Sequence, residues 1–111
     1  MDERSRRVGR NEALFRQVNE EIETLERGLA GIADQTLHIV CECGDLRCQE
    51  RIAVPVRKYE ETRSESALFL VIPGHEIPST EDVLERTQRF NVVRKREGRP
   101  AQIAAATDPR G

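Results

Sequence analysis

The chain has 111 residues, a length that fits one domain with a single modest core. Apolar residues make up 37% and charged residues 34%, without tryptophan, so that core is aliphatic and thin and a metal staple would add stability. A net charge of −2 argues against a surface built for nucleic acid or a lipid headgroup layer, and no apolar run reaches the roughly 20 residues that cross a bilayer.

Residues 1–10 are charged and aperiodic, which predicts a flexible lead-in without the apolar segment of a secretory signal. From Asn11, which suits a helix N-cap, Leu14, Phe15, Val18, Ile22, Leu25 and Leu29 recur at spacings of three and four. This predicts a long amphipathic helix with an acidic outer face, closed by Gly28 and Gly31. The spacing is also nearly heptad-like, so a homodimer through this helix is a second expectation.

Thr36 to Cys43 alternates as a strand does, with Leu37, Ile39, Cys41 and Cys43 on one side and His38, Val40 and Glu42 on the other. Gly44-Asp45 breaks it, and Asp45 is placed to cap a helical turn carrying Cys48. Ile52 to Val54 reads as a short strand, and Pro55 opens a helix in which Val56, Tyr59 and Arg63 share a face. Ala67 to Ile72 is a continuous apolar run, expected as the central strand. Ser79 with Asp82 suggests a capped helix that buries Val83 and Leu84. Phe90 to Arg96 and Ala101 to Ala106 read as two strands of a hairpin turning at Glu97-Gly98-Arg99-Pro100, before a tail at 107–111.

All three cysteines fall within eight residues in the spacing C-x-C-x4-C, and Pro73-Gly74 later delivers His75. An extended C-x-C puts both thiols on one face. Three thiolates and an imidazole are the ligand set of a closed tetrahedral Zn2+ site, so Cys41, Cys43, Cys48 and His75 are the expected ligands. Should His75 not reach, His38, Asp45, Glu76 or water would complete the shell. Three metal-free thiols are the plainer alternative, but clustering this tight favours a metal. An odd cysteine count without a signal segment points to a reduced, cytoplasmic setting.

A catalytic zinc would need an open position and a base, and His75-Glu76 offers Glu76 as that base of a zinc hydrolase. The spacing matches neither H-E-x-x-H nor the deaminase signature H-x-E with P-C-x-x-C. No catalytic constellation stands out elsewhere. Arg89, Arg94, Lys95, Arg96 and Arg99 concentrate positive charge in the 86–99 stretch, which makes nucleic-acid binding the alternative function.

Asn11-Glu12-Ala13-Leu14-Phe15-Arg16 with Val18-Asn19-Glu20, the C-E-C-x4-C-x2-R-I segment from Cys41 to Ile52, and F-L-V-x-P-G-H-E from Phe69 to Glu76 span most of the chain. Together they resemble a group of small uncharacterised bacterial proteins. The resemblance implies that His75 belongs with the cysteines and implies no activity. It departs at Val54-Pro55-Val56, where a polar helix cap is expected. The sequence thus predicts a single α+β domain over 11–106: a long N-terminal amphipathic helix packed on a small mixed β-sheet, with a zinc knuckle at one edge. The expected role is a non-catalytic zinc-binding module that works by contacting another protein.

Overall fold

The computed structural model describes residues 3–30, 35–48 and 50–110. It is an α+β fold. Helix α1 (Glu3–Ala30) is followed by β1 (Thr36–Val40), β2 (Arg51–Pro55), α2 (Val56–Arg63), β3 (Leu68–Val71), β4 (Glu81–Arg86), β5 (Asn91–Lys95) and α3 (Arg99–Ala106). In place of one mixed sheet there are two antiparallel ones, β1-β2 and β3-β5-β4. Helix α1 starts at Glu3, so the expected lead-in is helical from there and Asn11 lies inside the helix instead of capping it. Gly28 also lies inside the helix, while Gly31 and the side chain of Leu29 fall outside what is described.

The apolar cluster sits between the two sheets and α2. Leu37, Ile39, Ile52 and Val54 come from the first sheet, Val56 and Tyr59 from α2, and Leu68 to Val71 with Val92 and Val93 from the second. Val56, Tyr59 and Arg63 do share the buried face of α2. Strand β3 is buried along its whole length but forms an edge of its sheet; β5 is the central strand. The other edge of β3 is covered by the cysteine segment, where Glu42 N–H donates to Leu70 O at 2.9 Å. That contact carries the knuckle onto the core.

Two elements differ in kind from expectation. Residues 81–86 are strand, because β5 offers a second edge and tertiary pairing outweighs a weak local helix signal. Ser79 falls in one isolated turn, with Thr80 N–H and Glu81 N–H both donating to Ile77 O, and Asp82 lies in β4 opposite Arg94. A bulge between Val83 and Glu85 leaves Leu84 exposed. Residues 99–106 form a helix where a strand is expected. Pro100 sits in its first turn and four alanines follow, both of which favour helix over strand.

The largest departure concerns which face of α1 is buried. Leu14 and Leu25 are 53% and 68% exposed, whereas Glu12, Arg16, Asn19 and Glu23, spaced four, three and four apart, face inward. Each buried polar group has named partners. Arg16, 1% exposed, donates to Ser66 O and Ala104 O at 2.7 Å each and lies 4.4 Å over the Phe69 ring. Asn19 grips the backbone of Val40 with both amide atoms, accepting from its N–H at 2.8 Å and donating to its O at 3.0 Å. Lys95 donates to Glu12 and to Glu81, at 2.7 Å each. The expected C-terminal tail is tied down as well: Arg110 reaches Glu20, Glu23 and Glu60, and Tyr59 donates to Glu20 at 2.7 Å.

Burial pushes the Glu12 carboxyl up to about 7, against the pull of Lys95. The folded protein then keeps a proton that the unfolded chain releases near 4.5. The stability from this group is complete below that value and is lost as pH rises through about 7, an effect of about 3 kcal/mol. Urea denaturation at pH 5 and pH 8 tests it on Glu12→Gln paired with the parent. The variant should gain by about that amount on going to pH 8. Pairing cancels the acid loss of metal, whose sign is opposite. A pH-independent difference contradicts this assignment.

Candidate metal centre

Three segments meet at the edge of the first sheet. The extension of β1 brings Cys41 and Cys43 to one side, both buried, with Glu42 turned the other way into the core. A turn then lifts Cys48 back toward them: Cys48 N–H donates to Asp45 O at 3.0 Å, and the Asp45 carboxylate accepts from Arg47 N–H at 2.9 Å. It is a turn, not the helical start expected there. The third segment is Ile72-Pro73-Gly74-His75. His75 N–H donates to Ile72 O at 2.9 Å and Gly74 has φ +94°, which only glycine adopts without strain at this turn position, while Pro73 suits the position before it.

The ligand atoms of Cys41, Cys43, Cys48 and His75 all lie within 4.8 Å of one another, so the group could hold one metal ion. His75 Nδ1 stands 3.6 Å from the sulfurs of both Cys41 and Cys48. For a tetrahedral zinc with bonds of about 2.3 Å to sulfur and about 2.0 Å to nitrogen, the sulfur-to-nitrogen edge comes to about 3.5 Å. The spacing fits.

Each sulfur also receives a backbone N–H. Ile72 donates to Cys41 at 3.2 Å, and the amides of Asp45 and Glu50 serve Cys43 and Cys48. Such donors favour thiolate and orient it toward a cation. Without a cation the thiols share protons. Hydrogen bonding from Cys41 holds Cys43 down to about 5, and the same bond together with burial pushes Cys41 up. Cys48 is raised chiefly by burial.

The fallback ligands point elsewhere. His38 is exposed beside Glu26 on the opposite face of β1, Asp45 holds Arg47, and the Glu76 carboxylate accepts from Gly74 N–H and Asn91. A cleft of about 590 Å³ adjoins the cluster, walled by Val8, Leu46 and Ile77 with Arg7 and Arg47 at its rim.

The knuckle is seated on α1 through Gly44. Its carbonyl accepts from Asn11 Nδ2 at 2.9 Å, and its φ is +78°. A Cβ there would lie 2.8 Å from Glu12 Cγ and 3.0 Å from the Val8 carbonyl oxygen. Gly44→Ala should therefore cost about 2 kcal/mol in urea denaturation of the metal-loaded protein, from positive φ and from a backbone neighbour that cannot step aside. Unchanged stability would show that the knuckle moves freely over the helix.

The inward-facing polar stripe Glu12, Arg16, Asn19 and Glu23 and the buried Glu42 are not among the residues expected from the sequence, Arg63 is expected only as part of the α2 face, and Lys95, expected as an exposed cation for nucleic acid, is buried. Their signal was available: the stripe has helical spacing, and Lys95 alternates in register with Val93. The fold and site together define a small α+β domain with a Cys3His cluster able to bind a metal. Compared with protein families, curated proteins and solved structures, the chain matches none of them. Among the described residues no helix is long and apolar enough to cross a membrane.

Proposed function

We propose that Cys41, Cys43, Cys48 and His75 bind one Zn2+ ion, that the ion is structural, and that the protein acts without catalysis by contacting another protein. The observation that carries the metal is the four-atom cluster with His75 Nδ1 at 3.6 Å from two sulfurs, each sulfur already served by a backbone donor. Three thiolates with one imidazole select zinc over harder cations. A complete protein shell leaves no coordination position for a reacting water, and Glu76, the candidate base next to His75, is engaged by Gly74 and Asn91. Reduced thiols are needed for this chemistry, which fits a cytoplasmic setting.

Contact with a partner is supported by Leu46, which stands 65% exposed on the knuckle, and by Leu14 and Leu25 on the outer face of α1. The nucleic-acid reading has less support. Lys95 is buried between Glu12 and Glu81, and Arg94 and Arg96 face Glu65 and Asp82, so Arg89 and Arg99 carry most of what that stretch offers.

Metal analysis of the purified protein, with thiol titration before and after chelation, tests the reading. One equivalent of zinc and three thiols that react slowly until the metal is removed are expected. Three fast thiols with no bound metal would overturn it.

A further inference from the structure

Helix α1 is bound to the body by polar contacts. Among the described residues, Ile22 is its one apolar side chain packed against the buried apolar cluster; the faces that meet are Glu12, Arg16, Asn19 and Glu23 against backbone, charge and the Phe69 ring. An apolar seam is non-directional and tolerates sliding. A seam of buried charges and hydrogen bonds holds only while every partner is in place, because a stranded polar group costs its full desolvation.

The partner on which this seam turns is Glu42, which lies between two expected metal ligands and is itself fully buried. Its carboxylate accepts from Asn19 Nδ2 at 2.7 Å on α1, from Arg63 Nη2 at 3.0 Å on α2 and from Leu70 N–H at 3.0 Å on β3. Cys41 and Cys43 point to one side of the strand and Glu42 to the other, so whatever fixes the two sulfurs also fixes the carboxylate.

Glu42 is also the counter-charge that lets two cations meet. The guanidinium carbons of Arg16 and Arg63 lie 4.4 Å and 6.0 Å from the Phe69 ring centroid, and Lys95 Nζ is 5.1 Å from it. Arg63 disfavours the charge on Arg16 and Glu42 favours it. Arg63 Nε and Nη1 and Arg16 Nε have no hydrogen-bond partner, so the docked arrangement holds little surplus. Without the charge of Glu42 the repulsion between Arg16 and Arg63 is uncompensated, and α1 carries Arg16 away.

We infer that occupancy of the Cys41–Cys43–Cys48–His75 site governs the docking of α1: the loaded site holds Glu42 and Gly44 against Asn19, Asn11 and Val8, and loss of the ion frees the helix while the β3-β5-β4 core persists. This rests on the metal-site reading and adds a consequence to it. A zinc-responsive helix, amphipathic and tethered, is a means of presenting or withdrawing a binding surface according to metal supply.

Hydrogen exchange read by mass spectrometry on the full chain, with thiols kept reduced and zinc measured in the same samples, tests it. On chelation, amides over residues 8–26 should lose nearly all their protection, while those of β3 and β5 stay protected, faster only by the global stability the ion supplied. Asn19→Ala, which touches no ligand, should keep one zinc per chain, speed exchange in α1 about tenfold and weaken zinc binding by a similar factor, because linkage is reciprocal. Stoichiometric loss of zinc with unchanged α1 protection overturns the coupling and leaves the metal site standing. A uniform rise in exchange over the whole chain also overturns it, since the ion would then hold the entire fold. Protein that never binds zinc overturns both readings.

Discussion

Cys43→Ser should abolish one-to-one zinc binding and lower the stability of the protein prepared with zinc by more than about 5 kcal/mol. The sulfur of Cys43 is central to the cluster, within reach of both other sulfurs and of the imidazole. A serine oxygen at that corner is a poor zinc ligand and adds no negative charge at neutral pH. Binding free energy at a structural site of this kind is folding free energy, because the unfolded chain offers no assembled site. Urea denaturation with and without chelator separates the causes. In chelator, parent and variant should differ by no more than about 1 kcal/mol, since sulfur and oxygen then fill nearly the same space. A variant as stable as the parent in the presence of zinc would mean that the cluster holds no ion of consequence.

The second large effect belongs to the opposite face of the same strand. Glu42→Leu should cost about 5 kcal/mol with zinc present, because it strands three buried donors: Asn19 Nδ2, Arg63 Nη2 and Leu70 N–H. Arg63→Met should cost less, about 3 kcal/mol, since Glu42 keeps two of its donors and the Leu68 carbonyl is the one other group that loses its Arg63 bond. The double variant Glu42→Leu with Arg63→Met should fall short of the sum, as the buried cation that Glu42 would abandon is no longer there. Denaturant titrations of all four proteins provide the cycle. Strict additivity would contradict the pairing and place the two residues in separate roles.

The lines of the fold that the sequence discloses are those in which one residue type has one physical use. Cysteines at C-x-C-x4-C, a Pro-Gly turn followed by histidine, and alternation from Leu37 to Cys43 each admit few geometries, and the structure brings Cys41, Cys43, Cys48 and His75 together. The buried face of α2 is legible for the same reason, since Val56, Tyr59 and Arg63 share it at helical spacing.

The face of α1 was misread because the rule that apolar residues go inside was applied to a helix that buries its charges. Glu12, Arg16, Asn19 and Glu23 are tolerable inside only through partners up to 91 positions away, as with Arg16 and Thr107. Helical spacing marks the four as one face, but no local pattern names those partners. Strand β4 is decided by its pairing with β5, and at 101–106 the Glu97-Gly98-Arg99-Pro100 turn signal points to a hairpin strand where proline and the alanine run make a helix.

X-ray absorption at the zinc edge of the purified, reduced protein bears most directly on the whole account. A first shell of three sulfurs at about 2.3 Å and one nitrogen at about 2.0 Å, lost together with zinc in Cys43→Ser, is the predicted result. Zinc coordinated mainly by oxygen, or none retained by protein that is otherwise folded, would contradict it.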